Sequence, residues 1–296
     1  MKLWGIDLGG TKIEGVILDS ETKEVLYRER IPTEGAKGYP HVLNQVQKLV
    51  NILQDTSGLS PEKIGIGTPG STDPSSGLLK NCNSVHLNGQ PVHADLQKIL
   101  GIPVNMANDA NCFALAETQM GCVPDTAPDA QVVFGVIMGS GVGGGLVVNG
   151  QIINGANGIG GEWGHNFLHE SGGPCYCGKT GCVETVIAGP HLERYYYEQC
   201  GKKLGLADII QNRSSDPVAE QTYNRLIQYY GQAISTIINM IDPDVIVIGG
   251  GVGNIDALYT EGLESVKRHI FNTECHTKIL KPKLGDSAGV FGAAYL

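Results

Sequence analysis

Two spacings of apolar residues run along the chain, and the changes between them mark its elements. Apolar runs at 3–8 and 13–18, with a partly alternating run at 25–31, read as strands, and strand, glycine turn, strand predicts a hairpin. Positions 42, 43, 46, 49, 50 and 53 are apolar, which is the period of a helix over 41–53. Residues 64–70 (IGIGTPG) predict a buried strand running into a Pro-Gly turn, 92–100 a helix, 104–106 a strand and 112–120 a helix. A strand at 132–138, a glycine run at 139–145 and a strand at 146–148 repeat the first hairpin pattern and suggest an internally duplicated fold. Helical stretches follow at 186–200, 206–211 and 217–240, and Asp242-Pro243 then breaks the chain before the apolar strand 245–248. A helix at 258–271, a strand at 277–280 and a small-residue helix at 286–296 complete the pattern.

One stretch follows neither spacing. Residues 71–89 are polar and rich in turn residues, and Asn81, Asn83, Ser84 and Asn88 supply donors and acceptors. Loops that follow strands in α/β folds are where ligands sit, and a long aperiodic one is more often functional than accidental.

Composition narrows the class. A chain of 296 residues suits two domains packed together, and 41% hydrophobic with 17% charged residues describes a globular protein. No run of about 18 apolar residues occurs, so no membrane span is expected. The net charge of -9 argues against a nucleic-acid surface, which needs clustered Lys and Arg. Met1 runs straight into the strand-like KLWGIDLG rather than a secretory signal, so the expected compartment is the cytoplasm and the 8 cysteines are expected to be reduced. The 42 glycines, roughly twice the average share, come in blocks at strand ends, where they mark tight turns and backbone-to-ligand contacts.

The densest chemistry lies in 161–184, GEWGHNFLHESGGPCYCGKTGCVE. Cys175, Cys177 and Cys182 with the imidazole of His165 are the ligand types zinc prefers, and four of them close a tetrahedron with no open position. His169 is an alternative fourth ligand, and buried structural thiols are the competing explanation of the cluster. Glu162 and Glu184 flank the set without being needed for the metal. The first hairpin turn offers a second site: Gly9 and Gly10 with free N–H groups, the Thr11 hydroxyl, the Lys12 ammonium and Asp7 just before them can hold a polyphosphate and its Mg²⁺, although a plain turn would also explain them. Asp109, in Asn108-Asp109-Ala110-Asn111, falls at the start of a helix, where capping competes with catalysis as its task. Gly139, Ser140 and Gly141 form a second such turn, and Gly249, Gly250 and Gly251 a third glycine loop, suited to close approach by a base or ribose.

DLGGTK, NDAN, the 139–145 glycine run, GEWGH with C-x-C-G-x-x-G-C-x-E, VIVIGGG and the closing GDSAGVFGAA together resemble the ROK family of sugar kinases and repressors. The likeness runs from Trp4 to the end, and KNCNSVHLNGQP is most similar to its bacterial fructokinases and mannokinases, with His86 where a tryptophan tends to stand. The resemblance implies an actin-like, hexokinase-type ATPase fold of two α/β domains around a cleft: 1–110 plus 286–296 as the small domain, and 111–285 as the larger one carrying the zinc loop. It implies Asp109 as catalytic base, Asn83, Asn108, Glu162, His165 and Glu184 as sugar contacts, and His165, Cys175, Cys177 and Cys182 as zinc ligands. Asp7, Gly9, Gly10, Thr11, Lys12, Gly139, Ser140 and Gly141 would hold phosphate, and Gly249, Gly250 and Gly251 adenosine. The expected reaction is transfer from Mg²⁺-ATP to the 6-hydroxyl of a hexose, fructose first, with glucose, mannose or an N-acetylhexosamine as alternatives. Family repressors carry a DNA-binding domain ahead of the DLGGTK-like strand, which here starts at residue 2 or 3, so a kinase is expected, with a non-catalytic sugar sensor as the other alternative. A homodimer is implied by resemblance alone.

Overall fold

The structure is a computed structural model and describes residues 1–82 and 84–296. In chain order its elements are β1 (Lys2–Leu8), β2 (Lys12–Asp19), β3 (Val25–Pro32), α1 (Tyr39–Ser57), β4 (Ile64–Thr68), β5 (Ser71–Thr72), β6 (Leu79–Lys80), α2 (Val92–Leu100), β7 (Val104–Asn108), α3 (Asp109–Gln119) and α4 (Cys122–Thr126). They continue as β8 (Val132–Met138), β9 (Val142–Val148), β10 (Gln151–Ile152), α5 (Val183–Ile187), α6 (Gly189–Cys200), α7 (Leu206–Gln211), α8 (Pro217–Ile241), β11 (Val245–Gly249), α9 (Glu261–Lys267), β12 (Lys278–Leu280) and α10 (Ala288–Ala294).

Two five-stranded sheets have matching orders, β3-β2-β1-β4-β7 and β10-β9-β8-β11-β12. In the first, β1, β2 and β3 are antiparallel while β4 and β7 continue parallel to β1; in the second, β11 and β12 run parallel to β8. The repeated order bears out the internal duplication, because each glycine turn opens an equivalent hairpin. Contacts divide the chain into a first unit, Met1–Thr126, Gly145–Gly160 and Lys283–Leu296, and a second, Ala127–Gly144 and Gly161–Pro282. This division differs from the expected one, since residues 111–126 and 145–160 pack with the first unit.

The reason lies partly in α10. A Cβ at Gly65 would lie 1.8 Å from the Ala293 carbonyl oxygen, and one at Gly5 would lie 2.4 Å from that of Val290. A Cβ at Gly292 would in turn lie 1.8 Å from the carbonyl oxygen of Cys112 in α3. The small-residue helix therefore sits backbone-close between α3 and two strands that present no side chain there, and α3 follows it into the first unit. On the same sheet, Val42, Leu43, Val46, Leu49, Val50 and Leu53 of α1 bury the predicted apolar stripe in a core with Trp4, Ile6, Leu8, Ile13 and Ile17.

Local departures have local causes. The helix expected over 186–200 breaks at Ala188, whose ψ is 150°, and restarts as α6 with Pro190 in its first turn, where a missing N–H leaves no bond unmade. The 71–89 stretch contains the short β5–β6 pair. The 258–271 helix is reduced to a 3-10 turn, Asp256–Tyr259, followed by α9. Among the described residues, no helix is long and apolar enough to cross a membrane.

Candidate functional site

In the first unit the turn after β1 is closed by Gly9 N–H donating to the Lys12 carbonyl at 3.1 Å. Thr33, 1% exposed, clamps it from just after β3: its hydroxyl donates to the Gly9 carbonyl at 2.6 Å and its N–H to that of Thr11 at 2.9 Å. Gly10, Thr11 and Lys12 stay exposed, so the turn is held from behind and open in front. Thr33 carries no motif, and sequence reasoning missed it.

Asp7, half-buried at the end of β1, has its carboxyl pushed up to about 6, mainly by burial and then by the charges of Asp109 and Glu14, with Lys12 and Arg30 opposing. Asp109 opens α3, but the N-cap is Asn108: its Oδ1 accepts the Ala110 N–H at 2.9 Å, and its Nδ2 donates to the Gly70 carbonyl at 3.3 Å. Asp109 Oδ1 accepts the same Ala110 N–H at 2.8 Å. Solvent reaches the Asp109 side chain, yet protein crowds its other sides; its carboxyl is raised above the usual range, burial being the largest cause and the Ala110 and Asn108 hydrogen bonds opposing. A reachable carboxylate of raised basicity can accept a proton from a bound hydroxyl. The charge pressing on Asp7 from Asp109 is what a divalent cation relieves, so the donor set fits Mg²⁺.

In the second unit two glycine loops lie side by side at the carboxyl ends of parallel strands, the usual place for a ligand in an α/β sheet. Gly139 N–H donates to the Gly141 carbonyl at 2.9 Å after β8, and Ser140 is exposed. Gly250, after β11, has φ 82°, and a Cβ there would lie 2.3 Å from the Met138 carbonyl oxygen. Gly251 N lies 3.7 Å from where a Gly139 Cβ would stand, while a side chain at Gly251 itself would meet open space.

The 161–184 segment is tied to the first of these loops. Trp163 Nε1 donates to the Gly143 carbonyl at 2.9 Å, and its ring meets Phe134 edge-on at 6.4 Å. Glu184, on α5, accepts the Val142 N–H at 3.0 Å. Glu162 precedes the 3-10 turn Trp163–His165.

His165, Cys175, Cys177 and Cys182 come together, their ligand atoms all within 4.8 Å of one another. Cys177 Sγ and Cys182 Sγ are 3.6 Å apart, as are His165 Nδ1 and Cys175 Sγ; tetrahedral zinc requires edges of about 3.6–3.8 Å for such ligands. The Cys175 thiol is pushed up, mainly by burial, and that of Cys182 to about 12, by burial and then by its thiol neighbours, so a bound cation is what would let them ionise together. His169 stands apart, its Nδ1 2.7 Å from the Ser171 hydroxyl and its ring on Tyr229. The other ring nitrogen of His165, Nε2, lies 2.9 Å from the hydroxyl of Tyr176, a residue 71% exposed.

Asn83 lies outside the described residues. Asn81 takes a left-handed φ of 57°, and His86 packs on Gly35, where a Cβ would lie 2.8 Å from its Cε1.

Among known proteins, the ROK family pattern matches residues 3–296. An N-acetyl-D-glucosamine kinase of Yersinia pseudotuberculosis is similar at 35% identity over 99% of this chain and 98% of its own length. One of Vibrio vulnificus is similar at 34%, with the same coverage. The solved ROK hexokinase of Thermus thermophilus matches with a TM-score of 0.89 at 31% identity, covering 100% of this chain and 97% of that one, which gives the two units the hexokinase-type, actin-like fold. The chain therefore belongs to the ROK family, among its ATP-dependent sugar kinases.

Proposed function

We propose that this sugar kinase phosphorylates N-acetylglucosamine at its 6-hydroxyl. The observation that carries the reading is whole-length similarity to two N-acetyl-D-glucosamine kinases at 34–35% identity. It displaces fructose, which rested on a short local likeness around residues 81–88, in favour of the N-acetylhexosamine alternative.

Asp109 acts as the base. A sugar hydroxyl is a poor nucleophile near pH 7, and a carboxylate within hydrogen-bond reach takes its proton as attack proceeds. Asn108 holds the start of α3, so Asp109 is aimed without having to serve as the cap. The Gly9–Gly10–Thr11–Lys12 turn and the 139–141 loop receive phosphate oxygens on backbone N–H groups other than those of Gly9 and Gly139, and Gly249, Gly250 and Gly251 leave room for adenosine. Contrary to the expectation of a free Gly9 N–H, those two close the turns on the Lys12 and Gly141 carbonyls. Mg²⁺, when bound with ATP, neutralises charge on the transferring phosphate; Asp7 is the carboxylate we assign to face it. Glu162 and Glu184 accept hydrogen bonds from sugar hydroxyls, which both donate and accept. His165, Cys175, Cys177 and Cys182 hold a structural zinc that stiffens the segment carrying both glutamates and, with four ligands, has no open position for chemistry.

The test is ADP release measured across a panel of N-acetylglucosamine, N-acetylmannosamine, glucose, mannose and fructose. The highest kcat/KM is expected for N-acetylglucosamine. Preference for fructose would restore the local reading, and binding of a sugar without ADP release would make the protein a sensor.

A further inference from the structure

Asp7 is one member of a charged row. In the register of β1, β2 and β3 it lies opposite Glu14, and Glu14 lies opposite Arg30. Directly opposed residues share a face, with Cβ atoms about 4.5–5.5 Å apart. Glu14 is 1% exposed, and its carboxylate takes Arg28 Nε at 2.5 Å and Arg30 Nε at 2.8 Å. Both arginines also donate to the hydroxyl of Ser287, just before α10. Burying the Glu14 carboxylate against arginines that stay 38% and 42% exposed is a poor way to gain stability, since apolar residues of similar volume often serve the fold as well. What the cluster decides is where a guanidinium points. With Glu14 absent, the next carboxylate along the row from Arg30 is Asp7, which already feels the charge of Arg30.

We propose that Glu14 is a positioning residue: by holding Arg30 it keeps the guanidinium off Asp7 and leaves that carboxylate free for the divalent cation of the ATP complex. The proposal rests on the reading of Asp7 as the cation-facing carboxylate.

Binding of Mn²⁺ to the protein–ADP complex, followed by electron paramagnetic resonance, tests it without relying on turnover. Glu14→Gln releases Arg30 to pair with Asp7 and should weaken Mn²⁺ binding about tenfold or more, as loss of groups that orient metal ligands does. Arg30→Gln alone should bind Mn²⁺ at least as well as wild type. Glu14→Gln combined with Arg30→Gln should recover most of the loss, whereas a merely structural Glu14 would leave the double variant no better than the single. Unchanged affinity in Glu14→Gln, or no recovery in the double variant, overturns the proposal. Glu14→Asp keeps the charge but shortens the reach to Arg30, and serves if Glu14→Gln does not fold: intermediate weakening is expected, and wild-type binding overturns the idea. Asp7→Asn separates the two levels. If it leaves Mn²⁺ affinity unchanged, the reading of Asp7 falls and the proposal with it; if it weakens binding while Glu14→Gln does not, only the role of Glu14 falls.

Discussion

Asp109→Asn exchanges one carboxylate oxygen for an amide nitrogen in the first turn of α3, where capping and catalysis forecast opposite results. The Ala110 N–H has two acceptors, Asn108 Oδ1 at 2.9 Å and Asp109 Oδ1 at 2.8 Å. Loss of an N-cap costs about 1 kcal/mol, but the cap here is Asn108 and is untouched, and an asparagine at 109 keeps an acceptor oxygen. The variant should therefore unfold within about 0.5 kcal/mol of wild type. A general base contributes about 10²–10⁴-fold in rate, which corresponds to about 3–5 kcal/mol of barrier. Turnover in the ADP-release assay should fall by that factor while the KM for ATP stays near its wild-type value. Asn108→Ala should show the reverse emphasis, losing the cap and the bond to the Gly70 carbonyl and hence stability first. An Asp109→Asn protein that is folded and turns over like wild type would refute the base assignment, and a large drop in its unfolding temperature would show that Asp109 is structural.

Two further outcomes are expected. Purified protein should contain about one zinc per chain by elemental analysis, and Cys177→Ser should lose it together with most of the sugar affinity measured by calorimetry, while ATP binding changes little; unchanged sugar affinity in a zinc-free variant would break the link between metal and sugar site. For Asp7, the folded carboxyl lies at about 6 against an ordinary 3.8. A raised acid favours its protonated form, so its contribution to stability is full below about pH 4 and is lost as pH rises through about 6. The difference of 2.2 units amounts to at most about 3 kcal/mol. Without divalent cation, Asp7→Asn should therefore match wild type at about pH 4 and below and exceed its stability at pH 7, by thermal unfolding; a difference independent of pH would contradict this account.

What the sequence by itself determined was what neighbouring residues specify. The strands, the glycine turns between them and the long helices were legible because backbone conformation follows from side chains close in the chain. The Cys175–Cys177–Cys182 set was legible for the same reason, and so was the duplication, since DLGGTK and the 139–145 run each announce a hairpin. Residue types alone left His165 and His169 both open and the family resemblance favoured His165; the physical reason is packing, which turns one imidazole toward the thiols and the other toward Ser171 and Tyr229. Thr33 behind the first turn, Asn108 rather than Asp109 as cap, and the Asp7–Glu14–Arg30 row likewise depend on pairing and packing. On substrate the two scales point apart: the local likeness around 81–88 favours fructose, while similarity over the whole chain favours an N-acetylhexosamine. The tertiary structure also decided which residues belong together: α10 lies far from α3 in sequence, yet Gly5, Gly65 and Gly292 let backbones approach to distances that no side chain would permit, and register and close packing between distant segments are what a reading of neighbours cannot supply.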